Sequence, residues 1–304
     1  MNDKTWELTA QRVARAIRRR VLEHTLNANG GYLSQACSAA EILATLYVRV
    51  LNLAESVAPP IPPPFSGVPA RDNPRAFTGA GYNGPHAPPL DRFYLSCVHY
   101  ALPLYVTLIE TGRLAPAGLA QFNQDGSTVE MIGAEHSPGL EITGGSLGQT
   151  ISQAGGIALA RRLRGETGRN WLLMSDGEFQ SGQTWEAVQA LTHYKLDNIG
   201  VYVDVNAQQC DGLMTDVMNI EPLSARLEGF GARVAVVNGH ALDALAAPAA
   251  WERDGRPLFI LCYTNPCQDI PLLEARRPKL HYVRFQDARE KNQYADFLAE
   301  LEVA

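Results

Sequence analysis

The chain has 304 residues, of which 46% are hydrophobic and only 19% charged, with a formal net charge of −6. The charged share lies below the roughly 25% of an average soluble domain, which excludes a disordered chain and allows a sizeable core in one large or two small domains. No apolar run approaches the ~18 residues of a membrane span, the N-terminal stretch lacks the apolar centre of a secretory signal, and no long basic face offers itself to nucleic acid, so a cytoplasmic protein is expected.

Residues 5–28 read as a helix, with Val13, Ala16, Ile17, Val21 and Leu22 on one face. Its basic knot, Arg15, Arg18, Arg19 and Arg20, reads as a solvated face. Only Lys4, Lys195, Lys279 and Lys291 are lysines, a bias that reflects genome composition and carries no mechanism. Asn27 to Gly31 break the helix. Ser38 with Glu41 three residues on has the form of a capping box, opening an apolar helix over 39–50. The stretch 57–90 is dense in Pro and Gly and cannot form regular helix or strand, because proline lacks the amide hydrogen and glycine is costly to order. It is either a linker or an excursion from a single domain spanning 1–304. Too little chain precedes it to fold alone, which favours the excursion.

Beyond residue 90, short apolar strands alternate with helices. Strands are expected at 92–95, 171–174, 199–205, 233–237 and 257–263, and helices at 101–110, 148–162, 184–194, 223–230, 241–249 and 295–303. That alternation predicts an α/β fold, a mostly parallel sheet covered by helices on both faces, with ligands at the carboxyl ends of its strands. The five cysteines, Cys37, Cys97, Cys210, Cys262 and Cys267, include no C-x-x-C pair, which argues against a disulfide framework or a zinc site.

The informative segment runs from Leu172 to Gly212. One strand ends in Ser175-Asp176-Gly177-Glu178 and the next in Asn206-Ala207-Gln208. Joined by one helix, parallel strands place both ends on one edge of the sheet. A carboxylate from Asp176, a side-chain carbonyl from Asn206 and a main-chain carbonyl from the following turn leave room for phosphate oxygens in an octahedral magnesium shell. Gly177 lets the backbone approach a phosphate closely. Asp-Gly alone is a common turn pair and carries little.

With its spacing, this segment resembles the thiamine diphosphate motif of transketolases: G-D-G, an intervening helix and strand, then N-N or N-x. Further blocks resemble the same family in the same order. They are S-A-A-E-I-L-A-T-L-Y from Ser38, D-R-F-Y-L-S-C-V-H from Asp91, P-G-L-E-I-T-G-G-S-L-G-Q from Pro138 and V-N-G-H from Val237. The resemblance implies the thiamine diphosphate-binding fold in its diphosphate-side form. It implies Asp176, Asn206 and the main-chain carbonyl of Gln208 as ligands of Mg2+ (or Ca2+ or Mn2+). Gly177 and Glu178 would lie against the diphosphate, Gly145, Ser146 and Leu147 would line the cofactor, and Cys210 would lie under its thiazolium ring. His99 and His281 fall where the family has histidines facing the diphosphate or the reacting carbonyl. His136 aligns with no family histidine, and His24, His86 and His193 read as structural.

The family's aminopyrimidine-binding domain, with the glutamate that activates the cofactor, has no counterpart here. The resemblance therefore implies a partner subunit that supplies it, in a heterotetramer of two copies each. Departures from the pattern are Ser175 for the first glycine, Ala207 for the second asparagine, Ser181 for an interface glutamate and Tyr32 for a substrate-facing histidine. A second such histidine is lost at Met131-Ile132-Gly133. Losing polar contacts from a site shifts specificity by orders of magnitude, so a specialised small-molecule substrate, as in a biosynthetic pathway, is expected in place of ordinary sugar phosphates. The activity implied is a transketolase-like transfer of a two-carbon ketol or related acyl-anion unit. The alternatives are the cofactor subunit of a 2-oxo acid decarboxylase or acyloin synthase, and a degenerate, non-catalytic cofactor-binding partner.

Overall fold

The computed structural model of the chain describes residues 5–303; residues 1–4 and 304 lie outside the described residues. Helix α1 (Thr5–Ala28) buries Ala10, Val13, Ala14, Ile17, Val21 and Leu22, the three- and four-residue spacing of one helix face. Arg18 shares that face. It is 3% exposed and pairs with Glu41 at 2.6 Å and Asp269 at 3.1 Å, so this member of the basic knot is not solvated. Asn29 turns the chain at a φ of 53°, and Gly31 bonds in both directions with Val283, bringing residues 280–285 alongside.

Helix α2 spans Leu33–Thr45 and ends in a wider π-type turn over Leu46–Val50. It begins before Ser38, which therefore sits mid-helix. Its hydroxyl donates to Asp204 instead of capping a terminus, and Glu41 bonds Arg18 and His240. Residues 51–91 carry only a short 3-10 turn, Gly79–Asn83. The prolines there keep free carbonyls, which accept Tyr82 Oη (Pro59), the Ala115 amide (Pro60), Gln121 Nε2 (Pro62) and Thr128 Oγ1 (Pro63). Gly79 is required: a Cβ there would lie 1.7 Å from the Ser137 carbonyl oxygen.

The sheet is built from β1 (Arg92–Leu95), β2 (Asn170–Ser175), β3 (Ile199–Val205), β6 (Arg233–Asn238) and β7 (Leu258–Tyr263), in the order β1-β2-β3-β7-β6 and parallel throughout. Between them lie α3 (Ala101–Glu110), α4 (Thr150–Leu163), α5 (Gly182–His193), a two-residue hairpin pair β4 (Gln208–Gln209) and β5 (Gly212–Leu213), α6 (Met214–Val217), α7 (Leu223–Gly229) and α8 (Leu242–Ala246). The last helix, α9, spans Ala288–Val303 and starts well before the apolar stretch that announces it. Among the described residues no helix is long and apolar enough to cross a membrane.

Strand residues alternate between two cores. Leu173, Tyr202 and Ile260 pack with α1, α2, α3 and α8; Leu172, Met174, Val201, Val203 and Leu261 pack with α4, α5 and α7. Every residue of β2 and β3 is buried, which is why these strands read as continuous apolar runs. Gly200 is a packing glycine, since a Cβ there would meet the Trp171 ring at 2.3 Å. The registers Ser175↔Asp204 and Val205↔Tyr263 bring the carboxyl ends of β2, β3 and β7 level on one edge.

Candidate active site

Asp176 follows β2 directly and is 1% exposed. Its carboxylate accepts the Gly177 and Ala207 amides, each at 2.8 Å, so it sits on the turn that follows β3. Asn206, 7% exposed, occupies that turn; its Oδ1 accepts the Gln208 amide at 2.9 Å. The structure thus brings together the three residues expected to ligate a metal. Among the described residues no cluster of three His, Cys, Asp or Glu side chains could itself hold a metal. Gly177 keeps open space: a Cβ there would find nothing nearer than 3.9 Å. The Oε1 of Gln208 is buried and unpaired.

A second carboxylate, Asp204, is fully buried beneath Asn206. It accepts the hydroxyls of Ser38 and Thr264 at 2.5 Å and Tyr100 at 2.8 Å, and Asn206 Nδ2 at 3.1 Å. Sequence reasoning missed this group. The available signal was an acidic residue inside an otherwise apolar, fully buried strand, two positions before the asparagine. Burial, then the charge of Asp204, pushes the Asp176 carboxyl well above the usual range, and burial raises Asp204 too despite its hydroxyl donors. Among the described residues no lysine or arginine pairs with either. Such an acidic recess, backed by carbonyl donors, fits a divalent metal.

Glu178, expected to lie against the diphosphate, turns its side chain away from the opening. Its carboxylate is fully buried and points inward. Oε1 accepts Ser96 Oγ and the Gly148 amide; Oε2 accepts Cys97 Sγ at 2.9 Å and the Ser175 amide at 3.1 Å. Facing a diphosphate it would repel, whereas here it ties the ends of β1 and β2 to the glycine loop. Ser175, at φ −97° and ψ 158°, is extended backbone, so the loss of glycine there is tolerated. Gly145, at φ +94°, and Gly148, at φ +81°, shape that loop along the end of β1 and against Ser181 and Thr184, leaving Ser146 and Leu147 outward.

The other wall is a cluster of rings. Tyr32 lies 5.8 Å from His99, 5.4 Å from His281 and 5.0 Å from Tyr282, and the two imidazoles are 5.3 Å apart. The Gly31–Val283 bridge assembles it, a pairing no local pattern announces. Gly30 is tight against Tyr282, whose ring a Cβ would meet at 2.9 Å. Burial lowers His99 to about 3, and burial lowers His281, so both are neutral imidazoles near neutral pH. The Gln35 amide lies 3.1 Å from Nδ1 of His281. Cys210 is exposed at the tip of the β4–β5 hairpin, near enough to Tyr32 to help burial and Tyr282 raise its phenol. His136 stands elsewhere, beside Glu130 and Phe65.

Residues 80–276 match the family described as the transketolase, thiamine diphosphate binding domain. The chain belongs to this family. Over 277 residues it is 36% identical to a transketolase family protein of Sinorhizobium fredii, covering 90% of this chain and 89% of that one. It is 28% identical to an apulose-4-phosphate transketolase subunit of Actinobacillus succinogenes, covering 90% of each. A 6-deoxy-6-sulfo-D-fructose transketolase subunit of a Clostridium species is 29% identical, with 85% of each covered. Among solved structures, a transketolase mutant from Pichia stipitis superposes with a TM-score of 0.72 at 20% identity, over 97% of this chain and 44% of that one. The transketolase of Leishmania mexicana gives 0.69 at 20% identity, over 97% and 45%. The chain thus has the transketolase diphosphate-side fold and spans less than half the length of these solved enzymes.

Proposed function

We propose that this chain is the thiamine diphosphate- and Mg2+-binding subunit of a two-component, cytoplasmic, transketolase-like transferase that moves a two-carbon ketol or related acyl-anion unit. The observation that carries the proposal is the Asp176 carboxylate resting on the Asn206–Ala207 turn in a recess of buried acids. Asp176, Asn206 Oδ1 and the main-chain carbonyl of Gln208 would hold Mg2+, or Ca2+ or Mn2+, together with diphosphate oxygens. The main chain at Gly177 would border the diphosphate, and Gly145, Ser146, Leu147 and Cys210 the rest of the cofactor. When bound, the cofactor supplies the carbanion stabilisation on which such transfers depend. His99 and His281 would meet the substrate as neutral hydrogen-bonding groups. With Tyr32 and Tyr282 they make a wall of rings that favours a specialised, biosynthetic substrate over an ordinary sugar phosphate.

The whole chain then acts as one diphosphate-side domain, with residues 57–90 as an excursion packed upon it. A second subunit supplies the activating glutamate and covers the glycine loop, where Leu147 is 49% and Ile132 66% exposed. Two relatives carry subunit names of transketolases, which supports a partner; two copies of each chain complete the assembly proposed here. The test is titration of thiamine diphosphate with Mg2+ into this chain, alone and mixed with its co-purified second subunit. Tight binding that requires Mg2+ and the partner is expected. Absence of binding in the mixture would refute the reading in favour of a degenerate cofactor site. Rapid turnover of xylulose 5-phosphate with ribose 5-phosphate would refute the specialised substrate alone.

A further inference from the structure

We infer that Asp204 is a positioning residue that sets which end of the Asn206 amide faces the metal recess. The inference rests on the proposed function and concerns a group that the function counts only as part of the acidic recess. An asparagine amide is nearly symmetric in shape, and only its oxygen can ligate a hard cation. Asn206 can therefore serve in one of two orientations, and something must choose. The Asp204 carboxylate accepts the hydroxyls of Ser38, Tyr100 and Thr264 and lies 3.1 Å from Asn206 Nδ2, so it presents acceptor oxygens to that amide. Facing it, the amide presents its NH2 inward, which turns Oδ1 toward the Gln208 amide, in the turn whose Ala207 amide bonds Asp176. The wrong orientation would set the amide oxygen against the carboxylate.

Asp204 can enforce this choice because it is itself immobile. Ser38 from α2, Tyr100 from the turn before α3, and Thr264 just after β7 each donate a hydroxyl to it. Three elements remote in sequence converge on one carboxylate, and all three hydroxyls are satisfied there. Burying a carboxylate in an apolar layer is costly and does nothing for packing that leucine would not do better. The hydrogen-bonded partners of metal ligands typically contribute ~10–100-fold to metal affinity.

The test uses Mn2+ as an electron paramagnetic resonance probe, titrated into the assembled two-subunit protein saturated with thiamine diphosphate. Asp204→Asn should weaken Mn2+ binding by ~10–100-fold. The double variant Asp204→Asn with Asn206→Asp should recover to within about threefold of wild type, because a carboxylate offers an oxygen whichever way it is turned. A merely structural role for Asp204 would not be rescued in this way. Independently of any metal, the Asn206 side-chain NH2 in the isolated chain should exchange slowly in wild type and fast in Tyr100→Phe. Unchanged affinity in Asp204→Asn, a double variant no tighter than the single, or a rapidly exchanging wild-type NH2 would each overturn the inference. Its failure is separable from that of the functional reading. If wild type itself takes up no Mn2+, the metal site falls and the inference with it; if wild type binds and the Asp204 variants bind equally, only the positioning role falls.

Discussion

The side chains of Glu141 and Asp176 are both about 1% exposed, yet burial has opposite consequences for them. Glu141 sits where the Pro-rich excursion meets β1. Arg92 Nε bonds it, His86 Nε2 lies at 3.2 Å, Asn83 Nδ2 at 3.3 Å and the Phe93 amide at 3.1 Å. Burial pushes its pKa up, but the bonds from His86 and the charge of Arg92 outweigh it and hold the carboxyl below its ordinary value. At Asp176 burial and the neighbouring Asp204 carboxylate outweigh the backbone amides of Gly177, Asn206 and Ala207, and its pKa rises. The first acid is neutralised by the chain and fastens it. The second has no cationic partner among the described residues, in keeping with the metal-binding role proposed for it.

The comparison breaks most sharply under paired substitutions. Asp176→Ala should weaken Mg2+-dependent thiamine diphosphate binding at least ~100-fold in the assembled protein, read by calorimetry, because the proposed metal site would lose its one carboxylate ligand. Its thermal midpoint without metal should fall only modestly, since the side chain is bonded by neutral amides and by no cationic partner among the described residues. Glu141→Ala should do the reverse: a loss of ~3–5 kcal/mol in urea unfolding, from leaving Arg92 half-buried without its partner, with cofactor affinity retained in the protein that folds. Equal stability losses in the two variants would show that the acids are not different in kind.

Acid should separate them next. Glu141 is depressed in the folded state, so the folded protein binds fewer protons there than the unfolded chain. Its contribution is present above the unfolded value of about 4.5 and lost as pH falls from there toward the folded pKa. Urea midpoints of wild type should therefore drop below about pH 4.5 more steeply than those of Glu141→Gln. Parallel curves would mean that the His86 and Arg92 contacts do not govern its ionisation.

The regions differ too in how far they can be read from the chain. β1 and β3 have the bounds expected for them: β1 is a short, largely apolar run between Asp91 and Ser96, and β3 a β-branched run between Asn198 and Asn206. The meeting of Asp176 with the Asn206 turn follows from two parallel strands and one crossover. What was illegible depends on partners remote in sequence. Ser38 has a cap's spacing, but its hydroxyl answers to Asp204, 166 residues on. Glu178 has the position of a cofactor contact, yet four donors from three segments turn it inward. Tyr32 gains its imidazole neighbours only through the Gly31–Val283 bridge. The excursion's composition forbids regular structure but does not reveal that Asn83 and His86 clamp Glu141.

The finest test lies inside the candidate site, at Ala207. Its φ of 58° is left-handed, a region where an L-residue with a Cβ is strained and where glycine or asparagine is at ease. Asparagine is one of the alternatives in the transketolase pattern, N-N or N-x, in accord with that preference. The amide of Ala207 holds Asp176 and its carbonyl accepts the Met214 amide at 3.0 Å, so the turn persists despite the strain. Replacing Ala207 by Asn should relieve about 1 kcal/mol of it, read as a higher thermal midpoint, while Mg2+ affinity stays within about twofold because the backbone donor to Asp176 is unchanged. Gly should gain less, its relief offset by the greater freedom of the unfolded chain. A lower midpoint for Ala207→Asn would mean that the turn is not strained there, and that alanine is present because the recess has no room for a longer side chain.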